Sequence, residues 1–587
     1  MIRFLRSSAA AAALALCACG QAPAPAPARP ASSAALPGDR LASLVEQYWD
    51  DYQKLNPQLG PQGAALRDDP GMRADISAQS LADSLALERR YLDLALALPR
   101  PELGSEARLT LDIFVREREL AVESFTYPSE LMPVNPFRCV PLQFARSEGL
   151  AGAPASAKAY QSWRARSEQY VRWTAEAIAN MRDGLRRGYT LPRRLVSELL
   201  PMLATLGSDT PANPFYRVRA AETGDGRPVS GDVAARIRDK ILPAYRELHD
   251  FLHDEYLPRA RQGGGLSGLP LGASWYAYLI KRETGSQLTA AALNAQGLAD
   301  LEHLHGRMQA LLSEAGFAGD AQAFLEAMSH GPHALAAPDE LLHYYAELKT
   351  EAVPALAASF EETPQADFTM LPVEAYRQGR ASDLSYRRAR DPAMPAVVWV
   401  DTGALPAAPS PAAFLRAALP GQHFQLAIQT ARTDLPRFRR FGGDPGFVDG
   451  WGMYAASLGD ELGLNRDAES KFSALALRMR CVAGLVTDTG LNALGWSADQ
   501  AFEFLRAQLP IEEAAAHTMV DRELALPGEA LACAVGARTI DNLRTRAQQA
   551  LGSRFDLRTF HAQILDRGAM PLDILDTRVD LWLNGAH

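Results

Sequence analysis

Cysteine is scarce: five occur in 587 residues, and two of them, Cys17 and Cys19, sit together near the start. The other three, Cys139, Cys481 and Cys533, allow at most one disulfide and fit no zinc-finger spacing. Neither a disulfide-stapled fold nor a cysteine-built metal site organises this chain. Long apolar runs are also missing. The run near the N-terminus, Ala9 to Leu16, is far short of the roughly 20 residues that a spanning helix needs. Basic side chains are outnumbered, 60 against 69 acidic ones. That balance gives no electrostatic reason to bind nucleic acid or an anionic lipid surface. No Gly-x-Ser-x-Gly elbow, phosphate-binding loop or dinucleotide fingerprint is present, which removes the common catalytic devices that such motifs build.

What the N-terminus does have is a secretory pattern. Arg3 and Arg6 precede the short apolar run, and Leu16-Cys17-Ala18-Cys19-Gly20 closes it with small residues. Cys19 suits lipid attachment because Ala18 precedes it and Leu16 lies three residues back. Residues 1–18 are therefore expected to be a signal peptide. Residues 19–38, nearly all Ala, Pro and Ser after Gln21, form a semi-stiff lipidated tether. Loss of Arg3 and Arg6 with the leader turns 60 basic side chains into 58 against 69 acidic, a net charge of −11. The expected location is the cell envelope, anchored by lipid alone. Gly20 after the lipidated cysteine directs it to the outer membrane, facing the periplasm.

From residue 39 to 587 no Gly/Ser/Pro-rich linker interrupts the chain, so one large body is expected. Helical periodicity dominates it. Leu41, Leu44, Val45, Tyr48, Trp49, Tyr52 and Leu55 recur at three and four before Asn56-Pro57. Similar stripes run over Ala157 to Arg187, Ile237 to Tyr256, Ala290 to Ala315 and Arg466 to Leu491. Ser497 with Gln500 makes a capping box for Ala498 to Ala507. Ala396-Val397-Val398-Trp399-Val400-Asp401 is β-branched and aromatic and reads as a strand, paired with Leu384 to Arg388. The fold class is mainly α, with a small hairpin or sheet near residues 384–402.

Two segments could carry chemistry. In His249-Asp250-Phe251-Leu252-His253 the imidazoles at i and i+4 share a helix face and could pinch a zinc ion, but the Asp beside the first is shorter than the Glu that metallopeptidases use. A solvated helix face explains the same spacing. His303 and His305 lie about 200° apart around a helix and cannot share a metal. The second segment runs from Arg416-Ala417 through Pro420-Gly421-Gln422-His423-Phe424-Gln425, followed by Phe447-Val448-Asp449-Gly450-Trp451-Gly452-Met453-Tyr454-Ala455-Ala456.

These blocks resemble the bacterial family known as domain of unknown function 885, a zincin-like, metallopeptidase-like group. Its first block reads His-Glu-x-x-Pro-Gly-His-His-x-Gln and its second Phe-x-Glu-Gly-Trp-x-x-Tyr-x-Glu. The likeness extends along most of the body. Tyr48-Trp49 with Asn56-Pro57 is similar to the opening helix, Thr487-Asp488-Thr489-Gly490-Leu491-Asn492 to a Val-Asp-Thr-Gly-x-His segment, Pro527-Gly528-Glu529-Ala530 to Pro-Gly-Gln-Ala, and Phe560-His561 to the closing block. The resemblance implies a helical, zincin-like fold and a metal cleft. The chemistry departs from it: Arg416 and Ala417 replace the leading His and Glu, Gln422 the first of the paired histidines, Asp449 the Glu before Gly-Trp, Ala456 the later Glu, Asn492 the downstream His and Glu523 a Tyr.

Zinc needs about three N, O or S ligands and an open position, and His423 with Asp449 supplies two at most. Arg416 cannot ligate a cation and is expected to replace its charge by pairing with Asp449 or Asp488. Ala417 removes the carboxylate that would activate water, a factor of about 10²–10⁴. The expectation is a silent relative with no cofactor, which keeps a cleft for a peptide-like or cell-wall-derived ligand or an envelope protein. The alternatives are an active zinc hydrolase with a rebuilt site and an envelope scaffold. Its vestigial site comprises Arg416, Ala417, Gln422, His423, Gln425, Asp449, Trp451, Tyr454, Asp488 and Asn492. The bland reading makes His423, Trp451 and Tyr454 core residues and gives Gly421 and Gly450 to close helix packing.

Overall fold

The computed structural model describes residues 36–56, 73–149, 154, 156–220, 229–374, 377–378, 384–388, 395–403, 405 and 409–585. The expected leader, Cys19 and most of the tether lie outside them. The helices that carry the site and its supports are α1 (Pro37–Leu55), α2 (Ala78–Leu96), α3 (Ser105–Ser124), α4 (Ala157–Arg187), α5 (Arg193–Gly207), α6 (Leu242–Asp250), α7 (Gly272–Thr284) and α8 (Ala290–Glu314). After a three-stranded sheet come α9 (Pro411–Ala417), α10 (Gln422–Ala431), α11 (Pro445–Ala456), α12 (Ala468–Asn492), α13 (Ala498–Gln508), α14 (Glu513–Ala525), α15 (Glu529–Leu551) and α16 (Leu557–Leu565). The class is mainly α with a small sheet, as expected. No helix among the described residues is long and apolar enough to cross a membrane.

Local chemistry explains the ends. Pro37 starts α1, where its missing N–H is unneeded, and Leu41, Val45, Tyr48 and Trp49 form the buried stripe. Ser497 and Gln500 make both bonds of the capping box that opens α13. The stretch Ile237 to Tyr256 is not one uniform helix. Wider π turns at Ile237–Ile241 and Phe251–Tyr256 flank α6, whose second residue, Pro243, cannot donate to the regular ladder.

The sheet contains the expected antiparallel pair, β2 (Leu384–Arg387) on β3 (Ala396–Val400), with Leu384 opposite Val400. A further strand, β1 (Phe368–Pro372), lies parallel to β3 on its other side. Every residue of β3 is buried, which its unbroken apolar run anticipates.

Two crossings set the centre of the molecule. Helix α11 meets α15 at glycines: a Cβ on Gly450 would lie 2.4 Å from the Gly536 Cα, and one on Gly536 1.9 Å from the Gly446 carbonyl oxygen. Helix α12 is buried at every residue from Cys481 to Asn492, polar ones included. A disulfide between Cys481 and Cys533 ties it to α15, the single bridge that the cysteine count allowed, while Cys139 is buried and reduced.

Candidate functional site

Helix α9 ends at Ala417, and the chain turns through Ala418-Leu419-Pro420-Gly421 straight into α10. The reversal is so tight that a Cβ on Gly421 would sit 2.0 Å from the Arg416 carbonyl oxygen and 2.2 Å from that of Leu415. Only glycine fits there. The Trp451 indole pins the turn by donating Nε1–H to the Pro420 carbonyl at 2.8 Å. Arg416 in the last turn of α9 and Gln422 in the first turn of α10 thus become neighbours. Helix α11 passes over both: a Cβ on Gly452 would be 3.0 Å from the Arg416 carbonyl oxygen and 3.2 Å from the Gln422 Cγ.

The fold therefore brings positions 416 and 422, on either side of one turn, together with 449, which lies 27 residues after 422; all three were named from the sequence. Two hydrogen bonds fix them. Gln422 Nε2 donates to Asp449 Oδ1 at 2.6 Å, whereas Arg416 Nη2 donates to the Leu384 carbonyl on β2 at 2.8 Å. The expected ion pair of Arg416 with Asp488 does not occur among the described residues, where Asp488 is held by Tyr276, Gly528 and Asn492. Gln422 lies under α11 and engages Asp449, and the Arg416 side chain runs to the sheet. Ala417 faces the apolar core.

His423 is one residue past Gln422, so it points about 100° away, onto the sheet. Its Nε2–H donates to the Ala366 carbonyl at 3.0 Å, and the ring packs on Phe368 and Tyr386. Nδ1 is buried with no hydrogen-bond partner. Burial drives its pKa down to about 4, so the ring is neutral. His423 and Asp449, the two matched positions that could still ligate if any metal bound, thus have separate partners: His423 bonds Ala366, and Asp449, on α11, bonds Gln422. Gln425 continues inward to Gln429, which holds the carbonyls of Arg439 and Gly442.

Trp451 and Tyr454 are core, and they lead to a residue that the sequence flagged only as part of a matching block. His561 Nδ1–H donates to the Ser359 carbonyl at 2.8 Å, which fixes the tautomer; Nε2 then accepts from the Tyr454 hydroxyl at 2.8 Å. Arg544 completes the chain by donating to the Tyr454 oxygen at 3.3 Å and to Glu461 at 2.8 Å.

Asp488 and Asn492 belong to another cluster. Asp488, wholly buried, accepts from the Tyr276 hydroxyl at 2.5 Å, from the Gly528 N–H at 3.0 Å and from Asn492 Nδ2 at 3.3 Å. Asn492 also donates to the Glu523 carbonyl and accepts from the Leu266 N–H.

The His249 and His253 rings stack in parallel with centroids 6.1 Å apart, each Nδ1 bonded to the aspartate that follows it, Asp250 at 3.0 Å and Asp254 at 2.7 Å. His305 bonds the Gln508 carbonyl. Among the described residues no three His, Cys, Asp or Glu side chains are grouped as metal ligands. At the 416–422–449 junction the side chains are a guanidinium, an amide and one carboxylate, a set unsuited to zinc. A groove of about 320 Å³ lies elsewhere, walled by Gly297, Asp300, Leu485 and Arg538 among others, and none of the sequence-selected positions lines it.

These features define a mainly helical protein whose polar junction is made of side chains bonded to one another. The chain belongs to the family described as bacterial protein of unknown function (DUF885), whose profile matches residues 61–579. No curated protein matches it. Among solved structures it is similar to a candidate lipoprotein from Colwellia psychrerythraea, with TM-score 0.82 and 22% identity over 94% of this chain and 99% of that one. It is also similar to a candidate lipoprotein of unknown function from Shewanella oneidensis, with TM-score 0.67 and 15% identity over 92% of this chain and 99% of that one. At these identities the likeness is one of fold.

Proposed function

We propose that this protein is an envelope lipoprotein that binds a peptide-like or cell-wall-derived ligand, or a protein partner, on a metallopeptidase-like scaffold without zinc or catalysis. One observation carries the reading: the three positions where the resembled motif has His, His and Glu come together, and here they are Arg416, Gln422 and Asp449, with Gln422 bonded to Asp449. A guanidinium repels a cation, and the amide already occupies a carboxylate oxygen that a metal would need. Ala417 supplies no base. The lipoprotein descriptions of the two structural relatives, together with the Cys19 pattern, support the envelope assignment.

Metal analysis of the purified protein tests the silent reading. Sub-stoichiometric zinc is expected after dialysis against zinc, and one zinc per chain would return the hydrolase alternative. The variant Arg416→His/Ala417→Glu/Gln422→His asks the converse question and is expected to gain zinc binding through the two new imidazoles and Asp449. For the anchor, Cys19→Ser should move the protein from the membrane to the soluble fraction; full retention after high-salt washing would refute lipid attachment.

A further inference from the structure

Away from the 416–422–449 junction, two carboxyl groups are buried side by side. Asp488 comes from α12 and Glu523 from α14, and both are sealed from solvent. Glu523 Oε1 accepts from the Thr487 hydroxyl at 2.8 Å, while its Oε2 is buried with no hydrogen-bond partner. The donors have gone to Asp488: the Tyr276 hydroxyl from α7, the Asn492 amide from α12 and the Gly528 N–H that opens α15. Charges on the packed elements are committed elsewhere. On α14, Asp521 is held by Arg194 of α5, and Arg522 by Glu529 of α15, which Arg138 also reaches; on α7, Arg282 bonds Glu283.

We infer that Asp488 and Glu523 form a proton-holding latch: Asp488 is the ionised partner, Glu523 keeps its proton at neutral pH, and loss of that proton loosens the junction of α12, α14 and the loop before α7. The assignment follows from the donor count. An ionised Asp488 has its lone pairs satisfied, whereas an ionised Glu523 would leave a charged oxygen buried and unbonded beside another carboxylate, a costly arrangement. Burial raises Asp488, with its hydrogen bonds from Tyr276, Gly528 and Asn492 opposing the rise, and burial together with the Asp488 charge pushes Glu523 well above the carboxylate range. The latch has a mechanical output. Asn492, bonded to both acids' segments, accepts the Leu266 N–H, and the Gly265 N–H donates to Leu491 beside it. The approach is close enough that a Cβ on Gly265 would lie 2.2 Å from the Asn492 Oδ1, so the loop packs directly on Asn492.

The sign is fixed by linkage. An acid whose pKa is raised by folding makes unfolding or opening release a proton once pH exceeds the ordinary carboxyl range, so the closed state weakens as pH rises. Hydrogen exchange at Gly265, Leu266 and Gly528, corrected for the intrinsic pH dependence, should lose up to about tenfold protection per pH unit through and above neutrality. In Glu523→Gln, which carries a permanently neutral side chain, that dependence should flatten. An equal pH dependence in the two proteins overturns the latch. Infrared difference spectra of the unaltered protein give a second test that needs no variant. A protonated-carboxyl carbonyl band should persist at neutral pH and vanish on alkalinisation, and its absence at neutral pH overturns the proposal.

Discussion

Replacing Gly450 by alanine probes the contact that seats α11, and with it Asp449 and Trp451, over the 416–422 turn. The added Cβ would stand 2.4 Å from the Gly536 Cα, 2.5 Å from its carbonyl carbon and 2.9 Å from the Ala537 nitrogen. Favourable carbon contacts begin near 3.5 Å, so the two helices must part by about an ångström. All three atoms are backbone, and no rotamer change relieves them. Overpacking of this kind costs about 1–3 kcal/mol or more, against a helix-propensity gain of about 1 kcal/mol for Gly→Ala. With contacts this short the cost falls at the upper end of that range, which leaves a net loss of up to about 2 kcal/mol. Gly306 in α8 provides the control because a Cβ there meets nothing within 4 Å, so Gly306→Ala should stabilise by up to about 1 kcal/mol. Urea denaturation followed by circular dichroism separates the two, with opposite shifts in midpoint. If Gly450→Ala is as stable as Gly306→Ala, the helices are not locked by this contact.

Other expectations follow from buried groups. Arg118 pairs with Glu88 at 2.9 Å, both inaccessible, and the Tyr48 hydroxyl also bonds Glu88. Arg118→Ala should cost about 3–5 kcal/mol in a denaturation midpoint, whereas Arg118→Met with Glu88→Leu should recover most of it; equal losses would show that the charge is not the issue. The Cys481–Cys533 bridge closes a separation of 52 residues, so the double serine variant should lose about 4 kcal/mol, and unchanged stability would mean that the unfolded chain gains little freedom. His423 and His561 are each held near pKa 4 by burial, so their imidazole resonances should not titrate between pH 8 and 5. Unfolded histidine ionises near 6.5, so below that value unfolding takes up protons and each ring removes about 1.4 kcal/mol of stability per pH unit as pH falls towards 4. A midpoint near 6.5 for either ring would contradict its burial.

Periodic signals in the sequence located the fold well. The stripe of α1, the bounds of α4, the capping box of α13 and the β2–β3 pair all lie where apolar spacing and end chemistry put them. β1 was missed because Phe368-Thr-Met-Leu-Pro372 is short, ends in proline and exposes most of its residues, so little alternation marks it. The site was legible as a set of positions but not as bonds. Matching blocks drew attention to 416, 422 and 449, yet which side chain reaches Asp449 depends on how α11 crosses the Pro420–Gly421 turn, and that is a tertiary fact. Glu523 was legible only as a departure from the family pattern, although its place three residues after Val520 and seven after Ala516, on the buried stripe of α14, marks an acid in an unusual environment.

The geometry also separates what folding requires from what a metal would require. Gly421 is fixed by carbonyls about 2 Å from any Cβ, Trp451 by its bond to Pro420 and its place in the core, and Gly450 by the backbone of α15. Each of these needs holds whether or not an ion is bound, and these residues carry much of the family likeness. Ala417 is held small by the core around it, but the side chains at 416 and 422 answer to no such packing rule. Arg416 reaches out to β2 and Gln422 bonds sideways to Asp449, so neither side chain forms the turn between them. A matching motif of this kind is therefore evidence for the turn and the helix crossing before it is evidence for any chemistry.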